Sequence, residues 1–322
     1  MLLRVLHETV YEYAPAVTNA QHMAHLRPLD LPQQQLLKHA LRIDPEPSQC
    51  VQLGDVFGNA RTFFCLPFAH HTLRVQAESL VRTRPLACGE YEAPGLPWET
   101  VRDRMRYARG AAYEPAAEFC FPSTHAPRHA DFTAYARPSF AAHRPLMAAA
   151  RDLMARIHAD FAYEPAATDV STPALQALAL RKGVCQDFAH VMVACLRALG
   201  LPARYVSGYL LTAPPPGQPR LVGSDASHAW VSVWSPAASG QAGQGAWCDL
   251  DPTNDRAPGE DYVTLAVGRD YADVSPLRGV IHGGERHVLN VGVTVEPVEV
   301  DEAAPGAGSG AAAPATLASE GG

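Results

Sequence analysis

Residues 183–190 read Gly-Val-Cys-Gln-Asp-Phe-Ala-His, and the rest of the chain is organised around them and the apolar segment that follows. Apolar residues recur in that segment at the i, i+3, i+4, i+7 spacing of a helix with one buried face. These positions are Phe188, Val191, Met192, Cys195, Leu196 and Leu199. Gly200 and Pro202 then supply a stop signal. Cys185 is therefore predicted to lie at the first turn of a buried helix.

A helix start is a favourable position for a cysteine nucleophile. Free backbone N–H groups and the positive end of the helix dipole favour a thiolate there. The alternative is that Cys185 is a small buried thiol, as most cysteines are. This segment alone does not decide between the two interpretations.

Two further segments change that balance. Residues 225–234 alternate like a strand and carry His228, and residues 247–253 read Trp-Cys-Asp-Leu-Asp-Pro-Thr. Cysteine, histidine and aspartate thus occur in order at a helix start, a strand start and a strand end. A cysteine nucleophile needs this set: a thiolate, an imidazole that delivers a proton, and a group that orients the ring.

The combined pattern resembles the transglutaminase-like superfamily, whose members have a papain-like fold and a Cys-His-Asp triad. Its parts are Gly-Val-Cys-Gln-Asp-Phe-Ala-His, Leu-Pro-Ala-Arg-Tyr-Val-Ser-Gly-Tyr, His-Ala-Trp-Val and Trp-x-x-x-Asp-Pro-Thr. The resemblance covers residues 141–295 and implies that Cys185 is the nucleophile, His228 the base and Asp251 the orienting carboxylate. The N-terminal motifs His-x-Thr-x-Tyr-x-Tyr from residue 7, Leu-Arg-Pro at 26–28 and Asp-x-Phe-Gly-Asn at 55–59 resemble the region found ahead of bacterial cores of this type.

Other carboxylates compete with Asp251 for the orienting role. Asp249 lies two residues earlier, on the same strand face. Pro252 favours an extended conformation at Asp251, which keeps this residue at the strand end beside the histidine strand. Asp249 is interpreted as a solvated or supporting carboxylate, and Asp225 as a surface residue. Asp187 is expected to stabilise the first turn of the nucleophile helix through the dipole.

The remaining site residues are less determined by the sequence. An acyl-transfer oxyanion needs donors: the Cys185 backbone N–H is the expected first one, and Tyr163 and Gln186 are both candidates for the second. Trp230 and Trp234 share a strand face with His228 and are candidates for the wall of a substrate channel. Ordinary sheet packing is the favoured alternative for both tryptophans.

Composition excludes several classes of function. The net charge of −7 and the lack of a long basic run argue against nucleic-acid binding. No stretch approaches the roughly 18 apolar residues of a membrane helix, and the first residues carry too short an apolar run for a signal peptide. Seven scattered cysteines predict reduced thiols and a cytoplasmic protein. No ligand spacing for zinc, calcium or a nucleotide occurs, so no metal or cofactor is expected.

The predicted fold class is α+β. Residues 1–84 form short alternating strands that suggest a β-sandwich-like domain with a structural or substrate-shaping role. Residues 85–140 are predicted to be a partly helical connector. Residues 141–300 are predicted to form the papain-like core, in which the nucleophile helix packs on an antiparallel sheet. The spacing of apolar residues predicts an amphipathic helix over residues 145–161 at the start of this core. Residues 301–322 are rich in Ala, Gly, Ser and Pro and are predicted to be a disordered tail.

These observations predict thiol-dependent acyl chemistry on a peptide bond or a glutamine side chain. Water as the acceptor gives a cysteine peptidase or amidase, and an amine gives a protein-glutamine transglutaminase. Bacterial relatives are commonly regarded as candidate cysteine proteases, which favours hydrolysis. A non-enzymatic peptide-binding module is the alternative outside catalysis, and the intact triad argues against it. The expected partner is a peptide or protein amide substrate.

Overall fold

The computed structural model describes residues 1–85, 95–110, 112–212, 227–237 and 243–298. The predicted tail and Asp225 lie outside these ranges. The strands are β1 Leu2–Ala24, β2 Gln34–Asp44, β3 Gln49–Gly54, β4 Ala60–Leu66, β5 His70–Thr83, β6 Ala162–Tyr163, β7 Lys182–Gly183, β8 Ala203–Leu210, β9 Ser227–Pro236, β10 Gly245–Leu250, β11 Tyr262–Gly268, β12 Leu277–Gly283 and β13 Arg286–Pro297. The α-helices are α1 Trp98–Arg104, α2 Ala130–Ala136, α3 Leu146–Asp160, α4 Ala174–Leu180, α5 Cys185–Ala198 and α6 Tyr271–Val274.

The N-terminal region is one curled antiparallel sheet built on β1. Strands β5 and β4 pair with successive parts of β1, and β2 and β3 extend the sheet outward. As the alternation predicts, Val5, His7, Thr9 and Tyr13 are buried on one face of β1. One hydrophobic core of this sheet is formed by β1 residues between Tyr13 and Ala24 together with residues of β4 and β5. The N-terminal region is therefore a strand domain, as expected, and it is built from one continuous curled sheet.

The last two strands join this N-terminal sheet. β13 pairs with β1 from Leu3↔Pro297 to Ala14↔Arg286, and β12 continues along the rest of β1. The sequence analysis assigned these residues to the catalytic core, whereas in the structure their pairing strand is β1 of the N-terminal region. Alternating side chains identify a strand with one buried face, but they do not identify its partner.

The catalytic core places α5 against an antiparallel sheet of order β10-β9-β8-β11. The apolar positions predicted for the helix are all buried, and every residue from Asp187 to Arg197 is buried as well, because α2, α3 and α4 pack on the helix together with β8 and β9. Helix α3 matches the amphipathic helix predicted for residues 145–161 to within one residue at each end. The predicted fold class, α+β with a transglutaminase-like core, is confirmed.

Two buried amide side chains of the N-terminal region cover the edge strand of the catalytic sheet. Gln34 donates to the Thr264 carbonyl (2.8 Å) and accepts from its N–H (2.7 Å). Asn59 makes the same pair of bonds with Val267, at 2.7 and 2.8 Å. Each amide acts like a short stretch of neighbouring strand, so β11 does not present an open row of backbone groups at these positions.

The two regions also share one hydrophobic core. Leu3, Val5 and Val81 of the N-terminal sheet lie in the same cluster as the buried face of α5, together with Val293 and Val295 of β13. Within the described ranges, no helix is long and apolar enough to cross a membrane.

Candidate active site

The start of α5 is fixed by a glycine and a buried carboxylate. Gly183 has φ +154°, and a Cβ on it would overlap the Asp187 carboxylate. Asp187 Oδ2 accepts hydrogen bonds from the Val184 N–H (2.8 Å) and the Thr168 hydroxyl (2.7 Å). Burial raises the pKa of Asp187, although these bonds oppose the rise. Asp187 thus bonds within the first turn of α5, where the sequence analysis expected it to stabilise the helix. These hydrogen bonds hold the residues on either side of Cys185 in place.

His228 and Asp251 lie together at the end of the catalytic sheet. The His228 Nε2 atom donates to Asp251 Oδ2 at 2.7 Å, and the two side chains are 10% and 0% exposed. Because this bond occupies Nε2, the other ring nitrogen is left for the thiol. The Cys185 Sγ atom is 4.0 Å from the carbonyl oxygen of Ser227, the residue before His228.

The electrostatics of the site favour a charged imidazole ring. Burial disfavours the imidazolium, but the hydrogen bonds and charges of Asp251 and Cys185 outweigh this effect and raise the pKa of His228 to about 10. Burial alone would raise the pKa of Asp251, and the bonds from His228, Asn254 and Tyr262 lower it instead. The site therefore holds a negative carboxylate beside a positive ring at neutral pH.

Two residues that the sequence analysis missed hold the Asp251 carboxylate. The Asn254 side-chain amide and the Tyr262 hydroxyl each donate to Asp251 Oδ2 at 2.7 Å. The Thr253 backbone N–H donates to Oδ1 at 2.8 Å. Asn254 could have been found from its place in the turn after Asp-Pro-Thr, where a short polar side chain bonds locally. Tyr262 lies in the next strand, and no local pattern connects it to Asp251.

Asp249 has a different partner from Asp251. Its Oδ2 atom accepts from the Trp230 indole N–H at 3.1 Å, and burial raises the pKa of the carboxyl group. Trp230 is fully buried, 6.1 Å from the His228 ring and 5.4 Å from the Tyr262 ring between centroids. Trp230 therefore packs in a small hydrophobic cluster with Val206, Tyr262 and Val267.

Trp234 lies at the far end of β9 from His228. Its ring packs against Trp247 at 5.4 Å, and 8% of the residue is exposed. The geometry of both tryptophans matches the sheet-packing alternative.

The two oxyanion candidates differ in their surroundings. Tyr163 pairs with Gly183 across the parallel strands β6 and β7, and 55% of the residue is exposed. Burial, and then the negative charge of Cys185, raise the pKa of Tyr163. Gln186 donates its side-chain amide to the Val170 carbonyl at 3.2 Å, which directs one of its N–H bonds away from the thiol.

His190 is a structural histidine of α5. It is 1% exposed, stacks on His125 at 5.1 Å and accepts a hydrogen bond from the Tyr271 N–H. Burial lowers the pKa of its ring to about 3. Among the residues that the structure describes, no group of three or more His, Cys, Asp or Glu side chains is arranged to hold a metal ion.

Two family models match the chain in the order seen in the fold. Residues 3–82 match the bacterial transglutaminase-like N-terminal region, and residues 133–252 match the transglutaminase-like superfamily. An uncharacterised protein of Mycobacterium tuberculosis is 43% identical over 302 residues, which are 92% of this chain and 93% of that protein. The chain belongs to the transglutaminase-like superfamily.

Two further comparisons bear on the transglutaminase-like core and the overall fold. A protein-glutamine gamma-glutamyltransferase of Pseudomonas aeruginosa is 36% identical over 141 residues, 39% of this chain and 20% of that protein. The crystal structure of a candidate cysteine protease from Cytophaga hutchinsonii has a TM-score of 0.69 and 19% identity, covering 94% of this chain and 92% of that one. The latter likeness concerns the fold. Together, family and fold support a thiol-dependent enzyme that acts on amides.

Proposed function

We propose that the protein is a cysteine amidase or peptidase in which Cys185, His228 and Asp251 act as a triad. The observation that carries this proposal is the 2.7 Å bond between His228 and the fully buried Asp251, with Cys185 at the adjacent helix start. This is the arrangement that a thiol nucleophile needs: a proton carrier, and a carboxylate that holds it in one orientation.

Acylation follows from this arrangement. The Cys185 thiolate attacks the amide carbonyl carbon and forms a C–S bond, while the electrons of the C=O bond move to oxygen. The His228 imidazolium then donates its proton to the leaving nitrogen, and the C–N bond breaks. The products of this step are a thioester on Cys185, a free amine and neutral His228.

Deacylation reverses the use of the histidine. His228 removes a proton from the acceptor, which attacks the thioester carbonyl, and the C–S bond breaks to return the thiolate. With water as the acceptor the product is a carboxylic acid; with an amine it is a new amide. Asp251 stays ionised throughout, because five hydrogen bonds from four residues stabilise its charge.

The developing oxyanion needs two donors. The N–H groups of Asp187 and Phe188 already bond to the Val184 carbonyl, whereas a helix offers no acceptor for the N–H of Cys185. We assign the second donor to Tyr163, because its strand pairs with Gly183 and because the charge of Cys185 contributes, after burial, to the raised pKa of its hydroxyl group. Gln186 is disfavoured by its bond to Val170.

The choice of water over an amine rests on what surrounds the thiol. An amine outcompetes bulk water only in a dry channel with its own acceptor site. In the described part of the chain, Trp230 and Trp234 are occupied in packing, and Asp249 binds the Trp230 indole. These residues therefore supply neither channel wall nor ammonium site. The alternative, a transglutaminase, is supported by the similarity to the Pseudomonas glutamyltransferase.

The cellular setting belongs to the same proposal. The partner is a peptide or protein that offers an amide. We propose the cytoplasm as the compartment, because seven scattered cysteines fit a reducing environment better than a disulfide framework. No disulfide joins any of the six cysteines in the described ranges.

The function is tested by offering a glutamine-containing peptide library together with a labelled primary amine. Hydrolysis is expected to release ammonia or new peptide termini with little label incorporated, and both products are expected to be lost in Cys185→Ala. Label incorporation that dominates at millimolar amine and depends on Cys185 would establish the transglutaminase instead. Peptide binding without any turnover would leave the peptide-binding module.

Cys185 is also expected to be the most reactive thiol towards limiting iodoacetamide near pH 6. The His228 imidazolium stabilises its thiolate, whereas burial raises the pKa of Cys120 to about 12. Peptide mapping after brief labelling is expected to find the adduct on Cys185 first, at a rate lost in His228→Ala. The matched comparison is Cys50, an exposed thiol with no histidine partner in the described residues. Labelling of Cys50, Cys65 or Cys120 at the same rate would refute the assignment of Cys185.

A further inference from the structure

A cavity of about 720 Å³ lies away from the Cys185 site, where the turn after β3 meets the 3₁₀ helix Pro115–Cys120 and the start of β8. Neither Cys185 nor His228 lines it. Its volume is in the range of sites that enclose a small organic ligand. Its lining includes four arginines, which are Arg61, Arg204, Arg269 and Arg278. We call it the arginine cavity.

Two of these arginines have donors without acceptors. The Nε atoms of Arg61 and Arg204 are buried and have no hydrogen-bond partner among the described residues. The Arg204 guanidinium lies over the Trp247 ring at 4.3 Å, so its plane is held by a rigid surface. A buried guanidinium donor normally finds an acceptor, because leaving it unpaired costs free energy. Neither guanidinium group is therefore fully paired within the described residues, and both groups line the cavity.

The carboxylates of the cavity are already occupied. Asp273 forms a two-pronged pair with Arg269 at 2.9 Å for each bond. Asp55 accepts from the Asn59 amide at 2.8 Å, and Glu118 accepts from a tyrosine hydroxyl at 2.9 Å. Four arginines and three carboxylates give the lining a net charge of +1. The carboxylate of a bound ligand would neutralise this charge, whereas a phosphate dianion would leave a net negative charge.

The lining also includes the aromatic rings of Phe57, Tyr113 and Phe119. The Phe57 and Phe119 rings lie 5.8 Å apart, and Phe119 meets Trp247 edge to face at 5.2 Å. Rings arranged in this way favour a further aromatic group in an offset or edge-on position. The cavity therefore combines a planar cation, which matches the shape of a carboxylate, with an aromatic wall beside it.

We propose that the arginine cavity binds a carboxylate attached to an aromatic group, with the carboxylate on Arg61 and Arg204 and the ring against Phe57 and Phe119. Two sources share this chemistry: a peptide that ends in an aromatic residue, and a free aromatic acid. N-acetyl-L-phenylalanine represents the first and benzoate the second. N-acetyl-L-phenylalaninamide has the same ring but no charge.

Isothermal titration calorimetry of the full chain with these three probes and inorganic phosphate tests the site. We expect at least one of the two acids to bind and the neutral amide not to bind. The acid with the lower Kd shows whether the natural carboxylate is a peptide C-terminus or a free aromatic acid. Arg204→Met and Arg61→Met are each expected to raise the Kd of that acid at least about tenfold, since each removes a charged hydrogen bond. Arg74→Met, which removes an exposed arginine paired with Glu8, is the control and should leave the Kd unchanged.

Several results would overturn the site. They are the absence of binding by both acids, equal binding of the neutral amide, binding of phosphate alone, or an unchanged Kd in both arginine variants. Thermal unfolding of each variant verifies that it is folded. If Arg204→Met does not fold, Arg61→Met decides the outcome, because this residue lies on a different sheet.

Discussion

Replacing Asp251 with asparagine is expected to reduce amide turnover by about 10² to 10⁴ while the fold is retained. The corresponding change in a serine triad costs about 10⁴, and a thiolate depends less on its base. Asparagine keeps the size of the side chain but removes the charge that orients and stabilises the His228 imidazolium. Turnover of a peptide found in the library experiment, compared at subsaturating concentration, measures the loss in kcat/KM.

Asp249→Asn is the matched control for this change. Asp249 has the same side chain two residues earlier, but it accepts from Trp230 and not from His228. Its replacement is expected to change turnover less than tenfold. If Asp249→Asn proves the more damaging of the two, the assignment of Asp251 is wrong.

The same pair of variants separates an electrostatic role from a structural one. Asp251 raises the pKa of His228, so Asp251→Asn is expected to move that pKa from about 10 to a lower value, and Asp249→Asn is expected to leave it in place. Above this pKa the ring has lost the proton that the leaving nitrogen needs, and the alkaline limb of the pH–rate profile should shift the same way. NMR of the His228 ring across pH measures the shift. An identical titration in Asp251→Asn would contradict it.

A fragment that begins at residue 141 is expected to be unfolded. It lacks β1, so β12 and β13 lose their pairing strand, and it lacks Gln34 and Asn59, which cover β11. It also removes Leu3, Val5 and Val81 from the shared core. Each of these side chains is worth about 1.5 to 3 kcal/mol when buried, and a typical domain has only about 5 to 15 kcal/mol of stability. Circular dichroism and urea titration are expected to show no cooperative transition.

A point variant of the full chain tests the contribution of the shared hydrophobic core without removing whole strands. Leu3 is fully buried in the shared core, and Leu3→Ala is expected to cost about 2 to 5 kcal/mol of unfolding free energy. Leu37, an exposed leucine of β2, is the matched control, and Leu37→Ala should stay within about 0.5 kcal/mol of the parent. Cooperative unfolding of the fragment, or equal stability of the two variants, would show that the two regions are independent.

The parts of this structure that the sequence predicted are those with a local signal. The spacing of apolar residues after Cys185 predicted α5 and its buried face, and α3 was found in the same way. Alternation predicted which face of β1 is buried. The pairing of β13 with β1 could not be predicted, because it joins residues nearly 300 positions apart, as between Leu3 and Pro297.

The candidate site shows the same division. The sequence predicted the order of Cys185, His228 and Asp251, because each residue lies at the end of a helix or strand with a clear pattern of apolar residues. The sequence did not indicate that Tyr262 donates to Asp251, because only the folded chain brings its hydroxyl group to the carboxylate. The sequence placed Trp230 and Trp234 on one strand face. Their contacts with Asp249 and Trp247 could not be predicted, because these partners lie in the neighbouring strand β10.

The pairing of β1 with β13 also affects how the protein can be made. The ribosome releases β1 first, and its partner Arg286–Pro297 follows roughly 15 to 60 s later at ordinary synthesis rates. During that interval one side of a long strand lacks its neighbour and is open to pairing with other nascent chains. The protein therefore cannot complete its fold in order of synthesis, and a chain that stops before residue 286 leaves one edge of β1 without its partner strand. We expect such a chain to be a substrate for chaperones and proteases, not a partly active enzyme.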